Sequence, residues 1–367
     1  MKFAKCLVLS FLIVAGLSIQ VLAQDDSQRI DELEKKVEKL TKALTLKSGS
    51  ETKYSIGGYG EVHYNHQEKE GTTTKNEIDF HRFVLFFGYE FSDKLSFVSE
   101  LEVEHAIAGD GQKGEVELEQ AYLNYRLRPS TSLNIGMLLV PVGILNETHE
   151  PPTFYGVERN PVEKNIIPST WWASGVSVKN QLQSGLVLEG FLHEGLYIDD
   201  SFSVRSGRQK SAKAKLDSPA TTFRISTPTR SGLKAEASLQ YQNDFSQGAS
   251  YGGNSTLATF NLRYSRDKFS ARALYAKWQL GGDAAEAAGK DEQKGFYLES
   301  SYRWNPQWGT FLRWNRWNTA LDTDEDQFEL GANYWLHKHA VLKVDFFVHD
   351  RLDIETKGIN LGMGYQF

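Results

Sequence analysis

From about residue 53 to residue 367, apolar and polar side chains alternate with a period of two in segment after segment. That repeat constrains the chain more than any other feature, because successive residues of a strand point to opposite faces of a sheet. Sixteen segments carry it: 53–65, 77–90, 94–106, 115–128, 131–140, 171–180, 184–195, 211–227, 232–243, 255–266, 268–280, 295–304, 308–318, 326–336, 340–350 and 357–367. Most of them exceed the roughly 5–6 residues usual for soluble strands and suit a tilted crossing of a membrane. The connections also alternate. Short ones, such as Phe91-Ser92-Asp93, Pro129-Ser130, Asn305-Pro306-Gln307 and His337-Lys338-His339, separate longer polar ones at 66–76, 107–114, 141–170, 196–210, 244–254, 281–294, 319–325 and 351–356. Short turns at one end and long loops at the other belong to outer-membrane barrels, and a soluble sandwich gives no reason for them. The expected fold class is therefore all-β, a 16-stranded antiparallel transmembrane β-barrel occupying 48–367.

The two faces of each strand fit this reading. In the last segment Ile359, Leu361, Met363, Tyr365 and Phe367 share one face, and Asn360, Gly362, Gly364 and Gln366 the other. Leu342, Val344, Phe346 and Val348 oppose Lys343, Asp345 and His349, and Phe328, Leu330 and Tyr334 oppose Glu329 and Asn333. The apolar face would meet lipid and the charged face a wet lumen. Segment 268–280 is mixed on both faces. In 308–318, Arg313 and Arg316 fall on opposite faces, which places one of them near a rim. Closure follows from the medium: in lipid every strand edge must be paired. A barrel of sixteen strands encloses an aqueous channel.

The first fifty residues differ. Residues 1–23 combine a basic start (Lys2, Lys5), an apolar run and Val21-Leu22-Ala23 before Gln24, the pattern of a secretory signal peptide. Cys6, the single cysteine, lies in it, so no disulfide framework or thiolate metal site is expected. In 24–47, Ile30, Leu33, Val37, Leu40 and Leu44 recur on three- and four-residue steps, an a/d seam for a short periplasmic coiled coil. Such a helix either lies on its own domain or clamps an oligomer. A net charge of −6 argues against a nucleic-acid partner.

The longest connection, 141–170, holds Pro141, Pro151, Pro152, Pro161 and Pro168, five of the nine prolines. It also holds Ile144, Leu145, Phe154, Tyr155, Ile166 and Ile167, which give it something to pack. Loops of this length are functional or disordered; this one reads as ordered and folded inward, narrowing the lumen as the third long loop. The stretch around Gly136, Pro141, Gly143, Asn146, Glu147, His149, Glu150, Pro151, Arg159, Ile167, Pro168 and Trp171 resembles the constriction region of the porin family that includes the phosphate-selective porins O and P. The resemblance implies a homotrimeric passive channel for small hydrophilic solutes or inorganic ions, in the outer-membrane lipid of a Gram-negative bacterium. Terminal Phe367 resembles the signal read by the barrel assembly machinery. Family members bind phosphate through arginines and lysines at the constriction. Here the loop departs from that pattern: Glu147, Glu150, Glu158 and Glu163 face only Arg159 and Lys164.

Glu100, Glu102 and Glu104 form an acidic face on the third segment, and Arg82, Arg126, Arg128, Arg224, Arg263 and Arg303 lie on other segments. Opposed acidic and basic walls would set up a transverse field across the pore, although Arg82 could instead pair with a neighbouring glutamate. The alternatives to a channel are a barrel enzyme and a structural or adhesive protein. The sequence has no G-x-S-x-G and no H-E-x-x-H, so no catalytic residue is assigned. No cofactor is expected, and Asp322, Asp324, Glu325 and Asp326 fit no calcium-loop spacing.

Overall fold

A computed structural model describes residues 53–367; the expected signal peptide and coiled coil lie outside the described residues. Sixteen antiparallel strands form a closed barrel in which each strand pairs with its sequence neighbours and the first pairs with the last. They are β1 (Tyr54–Lys69), β2 (Thr72–Ser92), β3 (Leu95–Glu104), β4 (Val116–Arg128), β5 (Thr131–Leu139), β6 (Trp172–Gln181), β7 (Val187–His193) and β8 (Ala220–Ser226). There follow β9 (Leu233–Gln242), β10 (Ser255–Arg266), β11 (Phe269–Leu280), β12 (Glu292–Arg303), β13 (Trp308–Asn318), β14 (Glu325–His337), β15 (Ala340–Arg351) and β16 (Ile354–Gln366). Phe367 completes the seam: its amide donates to the Gly58 carbonyl at 2.8 Å, and its carbonyl accepts from the Gly58 amide at 3.0 Å.

The faces follow the sequence pattern. Leu342, Phe346, Phe328, Leu330, Leu361 and Met363 are exposed on the outside, while Lys343, Asp345, Glu329 and Asn360 are buried inside. Aromatic pairs ring the short-turn end, as where Tyr302 meets Trp304 and Trp308 meets Tyr334, each with centroids 4.7 Å apart. Arg313 points inward and Arg316 sits at the long-loop rim with Asp324 at 2.6 Å.

Two boundaries differ from the sequence reading. The expected loop 66–76 is mostly strand, because Glu70 (φ 50°) and Gly71 (φ 78°) make the tight turn that lets β1 and β2 pair up to Lys69 and Thr72. The expected strand 211–227 begins only at Ala220. Before it, Lys210, Ser211 and Lys213 adopt positive φ, and the Glu194 carboxylate accepts from the Ser211 amide at 2.9 Å. Alternating Ala212, Lys213, Ala214, Lys215 and Leu216 imitate a strand but close a long β7–β8 loop.

The charged inner face is less wet than its sequence implies, because two inward loops cover much of it. Glu61, Arg82, Glu100, Glu102, Arg313 and Glu329 are buried. Arg313 shows how they are compensated: Nε donates to Glu299 Oε2 at 2.9 Å and Nη1 to Glu329 Oε2 at 3.1 Å. Replacing Arg313 by Ala leaves the buried Glu329 without a cation and Glu299 with only Arg272, 3.7 Å away, and is expected to cost about 3–5 kcal/mol. The gel-shift temperature at which the folded barrel unfolds should fall accordingly. Lysine should restore it incompletely, because an ammonium cannot reach both carboxylates as a guanidinium fork does.

Candidate functional site

The connection between β5 and β6 folds inside the barrel. Asn146 ties its two ends together: Nδ2 donates to the Val140 and Trp171 carbonyls at 2.7 and 2.9 Å, and Oδ1 accepts from the Trp171 amide at 2.7 Å. Gly143 has φ 69°, and a Cβ there would lie 2.7 Å from Glu163 Oε2, so glycine is required. The apolar residues Ile144, Leu145, Val162, Ile166 and Ile167 join one buried cluster with Leu274, Trp278 and Tyr297 of the wall. Farther along, the loop lies on β13 and β15: Arg313 Nη2 donates to the Tyr155 carbonyl at 2.5 Å, Lys343 Nζ to the Gly156 carbonyl at 2.8 Å, and the Val157 amide to Asp345 Oδ2 at 2.6 Å. Opposite, His149 Nε2 lies 3.4 Å from Glu100 and 3.5 Å from Glu119.

A polar cavity of about 250 Å³ remains between this loop and the β1–β4 wall, with residues of the β7–β8 loop completing its lining. Glu104, Glu117 and Glu119 line the wall; Arg159 and Lys164 come from the first loop and Arg205, Arg208 and Lys210 from the second. The two loops are joined here. Arg205 Nη1 donates to the carbonyls of Lys164 at 2.7 Å and Ser169 at 2.9 Å, and Arg208 Nη1 to that of Thr170 at 2.5 Å. Arg159 Nη1 donates to Thr170 Oγ1 at 2.7 Å. Lys210 is paired with Glu117. Among the described residues Arg159, Lys164, Arg205 and Arg208 have no carboxylate within ion-pairing distance, and neither has Glu104 a cation. Burial, then repulsion from Arg208 and Arg159, pushes the Arg205 guanidinium down to about 10. It is still cationic at neutral pH. Cations that share a cavity with carboxylates but pair directly with none keep donors free for a small anion. A second cavity of about 490 Å³ lies on the other side of the first loop, lined by Glu147, Lys179, Arg224, Glu236 and Arg263.

The residues singled out in the sequence divide among several places. Glu104, Glu158, Arg159 and Lys164 meet in the first cavity, with Arg82 on its wall. Arg82 is also engaged, its Nε lying 2.8 Å from Glu61 Oε1 and its Nη1 3.5 Å from Glu102 Oε2. Glu100 and Glu102 are buried on the inner face outside both cavities, Glu100 against His149 of the inward loop, and Glu100 accepts from Gln120 Nε2 at 2.6 Å. Glu147 and Arg224 pair across the second cavity, and Arg263 Nη2 donates to Glu236 Oε2 at 2.6 Å. Glu150 lines neither cavity; its carbonyl caps a turn by accepting from Thr153 Oγ1 at 2.7 Å. Arg126 and Arg128 end β4 at the short-turn side, where both are exposed. Arg303 is at that same end, its guanidinium 3.8 Å over the Trp335 ring. Strand parity assigns a side chain to a face but not to a depth, which is why these three line neither cavity, although Trp335 under Arg303 packs against Tyr155 of the loop. Sequence reasoning missed Arg205, Arg208 and Lys210, although Ser203–Lys215 carries five cations and no acid.

No protein-family model matches the chain. An uncharacterized protein of Aquifex aeolicus (strain VF5) is 36% identical over 246 residues, covering 65% of this chain and 54% of its own length. The chain thus spans about half the length of the curated relative it matches. The anion-selective porin from Comamonas acidovorans superposes with a TM-score of 0.61 at 12% identity, over 86% of this chain and 99% of that one. The outer membrane channel DcaP of Acinetobacter baumannii gives 0.60 at 14% identity, over 86% and 97%. The fold is that of the outer-membrane porins. At these identities the likeness extends to the fold, and the charges of the constriction are this chain's own.

Proposed function

We propose that the protein is an outer-membrane channel through which small hydrophilic anions, inorganic phosphate among them, diffuse passively. The observation that carries this reading is the set of four cations, Arg159, Lys164, Arg205 and Arg208, that face the first cavity without a carboxylate partner. Only Glu104 is similarly unpaired on that cavity's wall among the described residues. Over the whole lining the six cations and six carboxylates balance, so the preference for anions rests on the four cations left without a partner rather than on a net charge. A site of this kind steers anions inward and repels cations at the same point. No bond is made or broken.

A homotrimer fits the same proposal. With seven residues each, β7 and β8 are shorter than the roughly 9–11 that a tilted membrane strand needs. Their outer face carries exposed Leu188, Leu192, Phe223 and Ile225. A neighbouring copy set against this low wall would spare the lipid the mismatch.

The test is single-channel recording in a planar bilayer under a salt gradient, followed by addition of phosphate. The reading expects a reversal potential of anion-preferring sign, steps in groups of three, and chloride current reduced as phosphate occupies the site. A folded, heat-modifiable barrel that gives no steps, or a cation-preferring reversal potential, overturns it.

A further inference from the structure

At the long-loop end of the β1–β3 wall, three side chains unrelated to the loop docking converge. Asp79 Oδ2 lies 3.2 Å from His81 Nδ1 and 2.8 Å from His105 Nδ1. One atom from each residue falls within a common 4.8 Å set, all three residues are half-buried, and His81 lines the first cavity. A β-bulge makes the cluster. The register steps from Glu61 opposite Arg82 to His63 opposite Asp79, so Phe80 and His81 together face Val62. The extra residue re-aims the strand, and His81 and Arg82, adjacent in sequence, both come to line the first cavity. His105 follows β3 with φ 53°, which turns it back toward Asp79. His63 stacks on His81 with ring centroids 4.6 Å apart and fixes its plane.

We infer that Asp79, His81 and His105 bind a divalent first-row transition-metal ion such as Zn²⁺ at the mouth of the barrel. Two imidazoles and one carboxylate suit zinc, nickel, cobalt or copper, whereas calcium and magnesium require more oxygen ligands. A tetrahedral zinc with bonds near 2.0–2.1 Å holds its ligand atoms about 3.3 Å apart, close to the spacing already present. Three protein ligands leave one position for water or an anion.

Binding at this site is coupled to the passage. Arg82 Nη2 lies 2.8 Å from His81 Nε2. A guanidinium only donates, so in the metal-free protein Nε2 accepts and the ring proton sits on Nδ1, shared with Asp79. A metal on Nδ1 moves that proton to Nε2, where it faces the Arg82 donor. Arg82 must then draw back toward Glu61 and Glu102, its other partners. Metal occupancy therefore repositions a side chain of the cavity wall and adds positive charge beside it.

The binding test does not depend on the channel reading. Zn²⁺ is titrated calorimetrically into the full-length folded barrel in detergent. One ion per chain is expected, and His105→Ala and Asp79→Asn should each weaken it by at least about tenfold, the scale on which even outer-shell losses act. His66→Ala, on β1 outside the cluster, should leave it unchanged. His337 and His339, 5.4 Å apart at the short-turn end, are the competing capture site. If removing that pair abolishes the binding, or His105→Ala leaves it intact, or no heat is seen up to millimolar Zn²⁺, the inference is overturned. Where binding is seen, Zn²⁺ should also shift the channel's chloride conductance in the wild type but not in His105→Ala.

Discussion

Replacing Arg159 and Lys164 together by Glu is expected to reverse the ionic preference of the channel. The two positions sit on the cavity side of the inward loop, and the backbone carbonyls that receive Arg205 and Arg208 stay in place. Thr170 Oγ1, which accepts from Arg159, can turn to donate to a carboxylate at the same position. The unpaired charges then change from four cations against one carboxylate to two against three. A unit charge about 6 Å from a passing ion contributes roughly 0.7–3 kcal/mol between the dielectric of water and that of a protein surface. Four units of change thus amount to at least tenfold in relative permeability, at about 1.4 kcal/mol per tenfold. The reversal potential under a salt gradient should change sign at about 0.1 M and move much less at 1 M, where the screening length drops to about 3 Å. Lys338→Glu, in a short turn at the other end, serves as the control and should leave the sign alone. An unchanged reversal potential in the double variant would remove these residues from the conduction path.

The barrel was legible because its outer face answers to a single solvent. In β14, β15 and β16 the lipid-facing residues are apolar without exception over several steps, so the period of two is clean. It misled where β1 and β2 run on through polar residues to the turn at Glu70 and Gly71, and where a loop borrowed the pattern. Lys213 and Lys215 alternate with Ala212, Ala214 and Leu216, yet Lys213 at φ 54° cannot continue a strand. The site was legible in part. Glu158, Arg159 and Lys164 could be placed because a Pro-rich, apolar loop has to pack somewhere, and the interior is the surface available. Arg205 and Arg208 lie on a loop whose course depends on partners distant in sequence: Ile198, Phe202 and Val204 join the same buried cluster as Phe245. The histidine cluster was not legible at all. It depends on a one-residue register step between β1 and β2, and nothing in the local residue pattern marks a bulge there.

Glu163→Ala is expected to undock the inward loop and raise the single-channel conductance severalfold while the barrel stays folded. Glu163 is fully buried, and its carboxylate is the hub of the loop. Oε2 accepts from the amides of Ile144 and Leu145 at 2.7 and 2.6 Å, and Oε1 accepts from the Tyr297 hydroxyl of β12 at 2.8 Å. Its own amide donates to Asn160 Oδ1 at 2.9 Å. Alanine leaves two backbone donors and a hydroxyl without partners, at about 1–3 kcal/mol for each buried group. Undocking the loop lets water reach all three, so the loop, rather than the barrel, gives way. The strands are unaffected because their ladders do not pass through Glu163, and the heat-modifiable gel shift should therefore persist. Glu163→Gln provides the discriminating comparison. Its amide oxygen can still accept from both backbone donors, and its NH₂ can donate to the Tyr297 hydroxyl oxygen. Conductance should then stay near the wild-type value. If glutamine opens the channel as far as alanine does, the negative charge rather than the hydrogen-bond hub holds the loop. If neither variant changes the conductance, the loop does not set the width of the passage.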